Sequence, residues 1–536
     1  MVYHRLLKTV AAVALAAVLH TTPHSAQAVQ VTAFQQAVAE RVSEDADIAA
    51  FYRARGFAPV WTGDTSADLN RRAALLDALA QARHHGLPTT RYNTDGLLTQ
   101  LARVGNGFDR GALEVSLTEL YLSFARDLQT GIIDNPRSVR SEIVREIPHR
   151  ETSYYLDGLM SDDPSAFFAS LAPQSQEYAR LMKEKMRLER IIARGGWGAP
   201  VPERKLEPGA SGAGVVALRD RLVALGYLGP TVTARYDGSM TEAVRRFQER
   251  HGLTADGVAG ASTLSELNVS ATDRLKSVIV TMERERWINR EEGLGKRHIL
   301  VNLADFKSRI FDDGKLTFET VSVVGHKDLD RQTPEFSDVM NHMVINPSWY
   351  VPRSIIIKEY LPKLRANPAA VGDFEITDNR GRVVSRNRSF AGYTDKSFPF
   401  AMRQKPGPRN ALGTVKFMFP NKYNIYLHDT PAKSLFSQEV RAFSYGCVRL
   451  NDPHDFAYAL LAKQSDDPVK LFRSILRSGK ERRVNLEQPV PVHLIYRTAF
   501  TTVKGETHFR RDIYGRDAAI WNALSAAGVE IGDIQS

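Results

Sequence analysis

The sequence predicts a multidomain α+β chain: a helical scaffold, a small three-helix unit, and a mostly-β domain carrying an insertion. Three observations predict it. The chain has 536 residues, which suits about three folded units at roughly 100–200 residues each. Apolar residues recur at helical spacing up to about residue 200. From about residue 275, short β-branched runs bounded by Gly and Asp take their place. A hydrophobic content of 43% and a charged content of 25% exclude a collagen-like or disordered chain.

The first 28 residues stand apart. Arg5 and Lys8 precede an apolar stretch from Thr9 to Leu19, and Ala26-Gln27-Ala28 follows as a small-x-small site. This is the plan of a secretory signal peptide. The rival reading is a membrane anchor, but a spanning helix needs about 20 apolar residues. The mature chain is therefore expected outside the cytoplasm, with membrane contact only transient, through the signal segment.

Residues 29–200 read as the helical scaffold. Leu117, Leu120, Tyr121, Phe124 and Leu128 make one apolar stripe, and Leu75, Leu79 and Ala82 another. Gly86-Leu87-Pro88 and Asn135-Pro136 are stop signals. Gly195-Gly196-Trp197-Gly198-Ala199-Pro200 reads as a linker. Residues 205–269 form the small unit. There Val215, Leu218, Leu222 and Leu225 make one helix face, and Thr241 opens a second helix with Ala243, Val244 and Phe247 inward.

The β domain spans 275–520, and 521–536 reads as a tail. Strands are expected at 298–303, 319–324, 343–346, 413–419, 424–427 and 492–496. A helix is expected from Pro453 to Lys463 with Asp452 as N-cap. The polar, Gly-rich stretch at about 353–408 reads as an insertion.

The net charge is +10. Basic proteins often bind nucleic acid, membranes or acidic polymers. Export argues against nucleic acid, and no dense Lys/Arg tract exists. The one cysteine, Cys447, excludes an internal disulfide and a Cys-rich zinc site. An exported unpaired thiol is either used or buried. His428 lies 19 residues before it, at the end of an expected strand. A nearby His can take the thiol proton and later return it to a leaving amine. Arg449 would favour the thiolate, and the amides of Gly446 and Cys447 could hold an oxyanion. On composition alone, a Cys/His acyl-transfer site and a buried thiol both stay open. His454-Asp455 and His428-Asp429 are isolated pairs without metal-ligand spacing, so neither metal nor cofactor is expected.

Ser444-x-Gly446-Cys447-Val448-Arg449-Leu450, preceded by His428-Asp429-Thr430, resembles the signature of YkuD-type L,D-transpeptidases. Arg331-Gln332-Thr333-Pro334, Asn346-Pro347-x-Trp349-x-Val351-Pro352, Arg403 to Pro408 and Asp512 to Asp517 resemble the large YcbB-like branch. So does Tyr52-Arg53-x-Arg55-Gly56-Phe57-x-Pro59-x-Trp61 in the scaffold. The 205–269 unit resembles a peptidoglycan-binding domain through Leu222-x-x-Leu225-Gly226-Tyr227, Tyr236-Asp237-Gly238 and Gly252-Leu253-x-x-Asp256-Gly257.

The resemblance implies an enzyme that attacks the third stem residue of a tetrapeptide donor. It releases terminal D-Ala and passes the acyl group from a thioester to an amine, giving a 3→3 cross-link. Cys447 would be the nucleophile and His428 the base and acid. The amides of Gly446 and Tyr445 would join that of Cys447 in the oxyanion hole. Ser444 would order the loop, and Arg449 would order it or bind a carboxylate. Tyr426, Tyr423 and Trp349 would wall the groove, and 353–408 would be a mobile lid. Many members place His where this chain has Tyr445 and Gly where it has Asp429, so a backbone carbonyl, rather than Asp429 itself, is expected to orient His428. The partners implied are peptidoglycan stem peptides and other cell-wall synthesis enzymes, and the location implied is the periplasm. Hydrolysis of the thioester, attachment of a protein to the wall, and non-catalytic wall binding are the rival functions.

Overall fold

The computed structural model describes residues 31–202 and 204–531, so the expected export segment lies outside the described residues. The chain is a helical region, a three-helix unit and a mostly-β domain with an inserted lid. No helix among the described residues is long and apolar enough to cross a membrane.

The helical region is organised by the helix Gly107–Thr130. Its stripe of Leu117, Tyr121, Phe124 and Leu128 is buried. Glu114 on the same helix is also buried, and its carboxylate accepts hydrogen bonds from the amides of Val60, Trp61 and Thr62 and from the Tyr52 hydroxyl. A buried carboxylate needs such partners. Here they tie the 52–62 segment onto the central helix.

Two sequence expectations are corrected in this core. The texture does not turn to β at 275, because Ala271–Trp287 is a helix. Its Leu275, Val278, Ile279 and Met282 complete the helical core. Nor is the chain after 520 a loose tail. The helix Arg516–Ala526 runs through that boundary, and Leu524 and Val529 are buried in the same core.

The helix Ala271–Trp287 hides four consecutive charged residues, Glu283, Arg284, Glu285 and Arg286. Each is paired across an interface. Glu283 accepts from the Ile133 amide at 2.9 Å, and Arg284 meets Asp517 at 2.5 Å and Glu335 at 3.4 Å. Glu285 pairs with Arg497 at 2.6 Å, and Arg286 donates to the Tyr178 hydroxyl at 3.0 Å. One helix thus bolts the helical region to the β domain. A second tie is backbone, with Val144 N–H donating to Glu335 O at 2.9 Å.

In the small unit, the helices Ala213–Ala224, Gly238–Arg250 and Ala261–Leu267 enclose Val215, Leu218, Leu222, Val244, Phe247 and Leu264. Thr241 does not open the second helix. Asp237 caps it, accepting from Met240 N–H, and the Thr241 hydroxyl donates to Asp237 O one turn back. An Asp at N-cap satisfies an otherwise orphaned amide.

The β domain is built on a nine-stranded main sheet. Its strands are β1 (Arg297–Asn302), β2 (Lys307–Asp312), β3 (Lys315–Gly325) and β4 (Phe336–Ile345). After the lid come β8 (Val415–Met418), β9 (Leu427–His428), β10 (Ala442–Ser444), β11 (Val448–Leu450) and β12 (Arg482–Ile495). The order is β10-β3-β11-β9-β8-β4-β12-β1-β2, and β2 also pairs with β3, so the sheet closes on itself. Alternate residues line the interior, among them Ile299, Val301, Met343, Val415, Phe417, Leu427, Val448 and Leu450. The helix Pro453–Leu461 packs Phe456 against Phe417. The Asp452 side chain makes no capping bond to this helix; it accepts from Thr320 Oγ1 at 2.8 Å and pins the helix to β3.

The lid holds a second sheet, β5 (Trp349–Tyr350), β7 (Ala401–Gln404) and β6 (Phe374–Thr377), in the order β5-β7-β6. With the helical stretch from Arg353 to Ala366, it encloses its own core of Trp349, Ile356, Leu364, Phe374, Phe398 and Met402. Tyr426, just before β9, and Tyr445, just after β10, pack against that core. The lid therefore sits over the sheet face that carries them.

Candidate active site

Strand register decides which side chains meet. β9 and β11 pair in parallel with Leu427 opposite Val448 and His428 opposite Arg449. Paired residues share a face, and alternation puts the next ones on the other. Leu427 and Val448 point into the apolar interior. His428 and Arg449 therefore share the outer face, and Cys447 lies beside them at the start of β11. On β8, Lys416 is opposite His428 and joins the same face.

The turn before β11 is built by Ser444. Its hydroxyl donates to Cys447 O at 2.5 Å and accepts from Gly446 N–H at 3.1 Å. Gly446 has φ +108, and a Cβ there would lie 2.9 Å from Ile425 Cδ1. A side chain is thus both strained and crowded at that position. Thr333 closes the turn from outside, donating to Gly446 O at 2.7 Å.

This geometry corrects one expectation. The Gly446 amide is not free for an oxyanion, because it is spent on Ser444. Among the described residues, the amides of Tyr445 and Cys447 carry no hydrogen bond, and these two are the available donors.

His428 is buried, and its Nδ1 donates to Asp429 O at 2.5 Å. That fixes Nε2 as the acceptor nitrogen of the neutral ring. The Asp429 carboxylate turns elsewhere. It accepts from Thr414 N–H and Oγ1, from Thr430 N–H, and from Lys433 Nζ at 2.9 Å. Burial, then the Arg449 charge, pushes the His428 pKa down to about 3.

Cys447 is half-buried. Its thiol rests on Asn424 O at 3.5 Å, with no hydrogen bond to His428. Asn421 shapes that loop, donating to Phe419 O and Ile425 O and accepting from Tyr423 N–H. Burial pushes the Cys447 thiol up to about 11, while Tyr426, Arg449 and Lys416 pull it down. The resting pair is thus a neutral thiol beside a neutral imidazole.

The three aromatic candidates divide. The Tyr426 ring lies edge-on to His428, centroids 5.6 Å apart, and its hydroxyl neighbours Cys447 and Trp349. Trp349 is buried in the lid core against Phe374. Tyr423 is corrected. Its ring packs on Phe336 at 5.2 Å and faces a separate crevice lined by Val144, Trp287 and Lys422.

Arg449 is half-buried and has no ion-pair partner among the described residues, and its Nε is buried without any acceptor. The residues that sequence reasoning missed are Lys416, Asn424, Thr333 and Glu359. Period-two reading of Val415-Lys416-Phe417-Met418 would have placed Lys416 opposite the interior residues. Thr333 lies in the Arg331-Gln332-Thr333-Pro334 run, where the resemblance assigns it no role, and no local signal marks Asn424 or Glu359.

The site is thus Cys447 and His428 on an outer face of a closed sheet, under an inserted lid. Residues 296–473 match the L,D-transpeptidase catalytic domain of the YkuD family. Residues 211–267 match a "Putative peptidoglycan binding domain" and 46–184 a scaffold domain. The three matched segments follow one another along the chain in the order scaffold, peptidoglycan-binding and L,D-transpeptidase catalytic domain.

A curated Haemophilus influenzae protein described as a "Putative L,D-transpeptidase" is 34% identical over 224 residues. That match spans 41% of this chain and 45% of the relative, so less than half of the relative's length is covered. Among solved structures, an L,D-transpeptidase from Stackebrandtia nassauensis aligns at 15% identity over 56% of this chain and 97% of its own, with TM-score 0.22. One from Xylanimonas cellulosilytica aligns at 13% over 55% and 100%, with TM-score 0.18.

Proposed function

We propose that the protein cross-links peptidoglycan stem peptides 3→3 through a Cys447 thioester, outside the cytoplasm. The single observation that carries this reading is Cys447 and His428 on one outer sheet face, inside the matched catalytic domain.

Cys447 Sγ attacks the carbonyl carbon of the third stem residue, and its proton passes to His428 Nε2. The amides of Tyr445 and Cys447 receive the oxyanion. His428 then gives the proton to the nitrogen of the terminal D-Ala. The C–N bond breaks, D-Ala leaves and a thioester remains. In the second half, an acceptor amine attacks the thioester and yields its proton to His428. The C–S bond breaks, and the sulfur takes the proton back. The Asp429 carbonyl holds the imidazole in one tautomer without adding a negative charge. The 211–267 domain would keep the chain on its polymer.

The test is to incubate disaccharide-tetrapeptides with the protein and weigh the products. A dimer lacking one D-Ala is expected, and Cys447→Ala should give none. A tripeptide monomer alone would move the reading to a carboxypeptidase, and no change would leave only wall binding.

A further inference from the structure

We propose that Lys416 and Arg449 form a clamp for the free carboxylate of the donor's leaving residue, which makes that carboxylate a condition of acylation. The proposal rests on the Cys447 acyl-transfer reading above.

The first observation is position. Lys416, His428 and Arg449 form one cross-strand row on β8, β9 and β11. Neighbouring strands lie about 4.8 Å apart, so the two cations flank the imidazole on either side. Both also act on the Cys447 sulfur.

The second is that both cations lack partners. Lys416 and Arg449 are half-buried, and among the described residues neither makes an ion pair or a side-chain hydrogen bond. Buried cations elsewhere in this chain have partners, Arg284 with Asp517, Lys185 with Glu189 at 2.7 Å, and Arg221 with the carbonyls of Leu267 and Val269. Leaving a partly desolvated cation unpaired costs free energy. The nearby carboxylates are engaged: Asp429 with Thr414 and Lys433, Glu481 with the Ser348 amide at 2.8 Å, and Glu359 with the Tyr445 hydroxyl.

The third is chemical. His428 must protonate the scissile nitrogen. In a tetrapeptide that nitrogen and the terminal carboxylate are attached to the same carbon. When the nitrogen faces Nε2, the carboxylate lies beside the imidazole, where the two cations stand. Arg449 offers a planar fork that suits a carboxylate, and Lys416 a point charge. A stem extended by a fifth residue turns this carboxylate into an amide. It then loses the charge pairing and must fit an extra residue into the same place.

The test measures D-Ala release from a tetrapeptide donor, and D-alaninamide release from the same donor with its terminal carboxylate amidated. Wild type should lose at least about tenfold in kcat/KM on amidation, as a charged hydrogen bond predicts. Lys416→Met should lose about tenfold on the acid, chiefly in KM, and keep on amidation only the smaller discrimination that Arg449 supplies. Lys416→Arg should keep the preference for the acid. A merely structural Lys416 would lower both donors alike. Equal use of both donors by wild type, or full discrimination in Lys416→Met, overturns the clamp and leaves the acyl-transfer reading standing. No release from either donor by wild type overturns both.

Discussion

The hydroxyl of Tyr445, two residues before Cys447, donates to the carboxylate of Glu359 in the lid. Glu359 lies in a π-helical turn, Ile356–Tyr360, and next to it Lys358 pairs with Asp330. The turn before Cys447 and the lid are thus fastened directly to each other. Tyr445→Phe should loosen the lid without unfolding it. Hydrogen exchange of residues 353–366 should speed up by about tenfold, the equivalent of roughly one net hydrogen bond. Unchanged exchange there would show that the lid is held by its apolar core alone.

The Cys447 and His428 environments predict an unusual pH response. With the thiol raised to about 11, the thiolate fraction at pH 7 is below that of a free cysteine. It grows as pH rises toward that value. With His428 lowered to about 3, its ring stays neutral through the whole range above. Alkylation of Cys447 by iodoacetamide should therefore climb steadily from pH 7 to 10 with no plateau below 9. A plateau near pH 6 would mean a preformed thiolate–imidazolium pair.

Gly446→Ala tests the turn. The positive φ strains an alanine in this turn, and the tip of the Ile425 side chain must also give way; misplacement of about 1 Å can cost a hundredfold in rate. Turnover should fall by about that factor while the melting temperature changes by only a few degrees. A variant with wild-type turnover would show that the observed turn conformation is dispensable.

Arg284 tests the strut between domains. Removing one partner of a buried pair typically costs about 3–5 kcal/mol. Arg284→Met would leave Glu335 with Arg516 at 3.1 Å but strip Asp517 of its cation. Urea unfolding should show a loss in that range. A loss under 1 kcal/mol would mean that water replaces the guanidinium freely.

The architecture was legible where pattern and position agree. Helical stripes such as Leu117 to Leu128 and the β-branched runs around β1, β3 and β4 appear in the structure as expected kinds of element. The helix Ala271–Trp287 was hidden because its buried face includes Glu283 to Arg286, which pattern reads as solvated. Only partners distant in sequence, such as Asp517 and Arg497, make that burial possible. At the site, Cys447 and His428 stood out through residue type and spacing. The Ser444–Gly446 hydrogen bond, which removes one expected oxyanion donor, depends on a turn geometry that residue types alone do not specify. Tyr423 was misassigned because neighbours in sequence at a loop point to different crevices.

The most direct test of the Cys447 nucleophile is to trap the acyl-enzyme. The protein is mixed with a tetrapeptide donor without acceptor, quenched in acid, and weighed intact. A mass increase equal to the donor less one free D-Ala is expected, because the thiol proton leaves with the D-Ala; it should be carried by the peptide containing Cys447 and absent in Cys447→Ala. An adduct on another residue, or D-Ala release by Cys447→Ala at the wild-type rate, would contradict it.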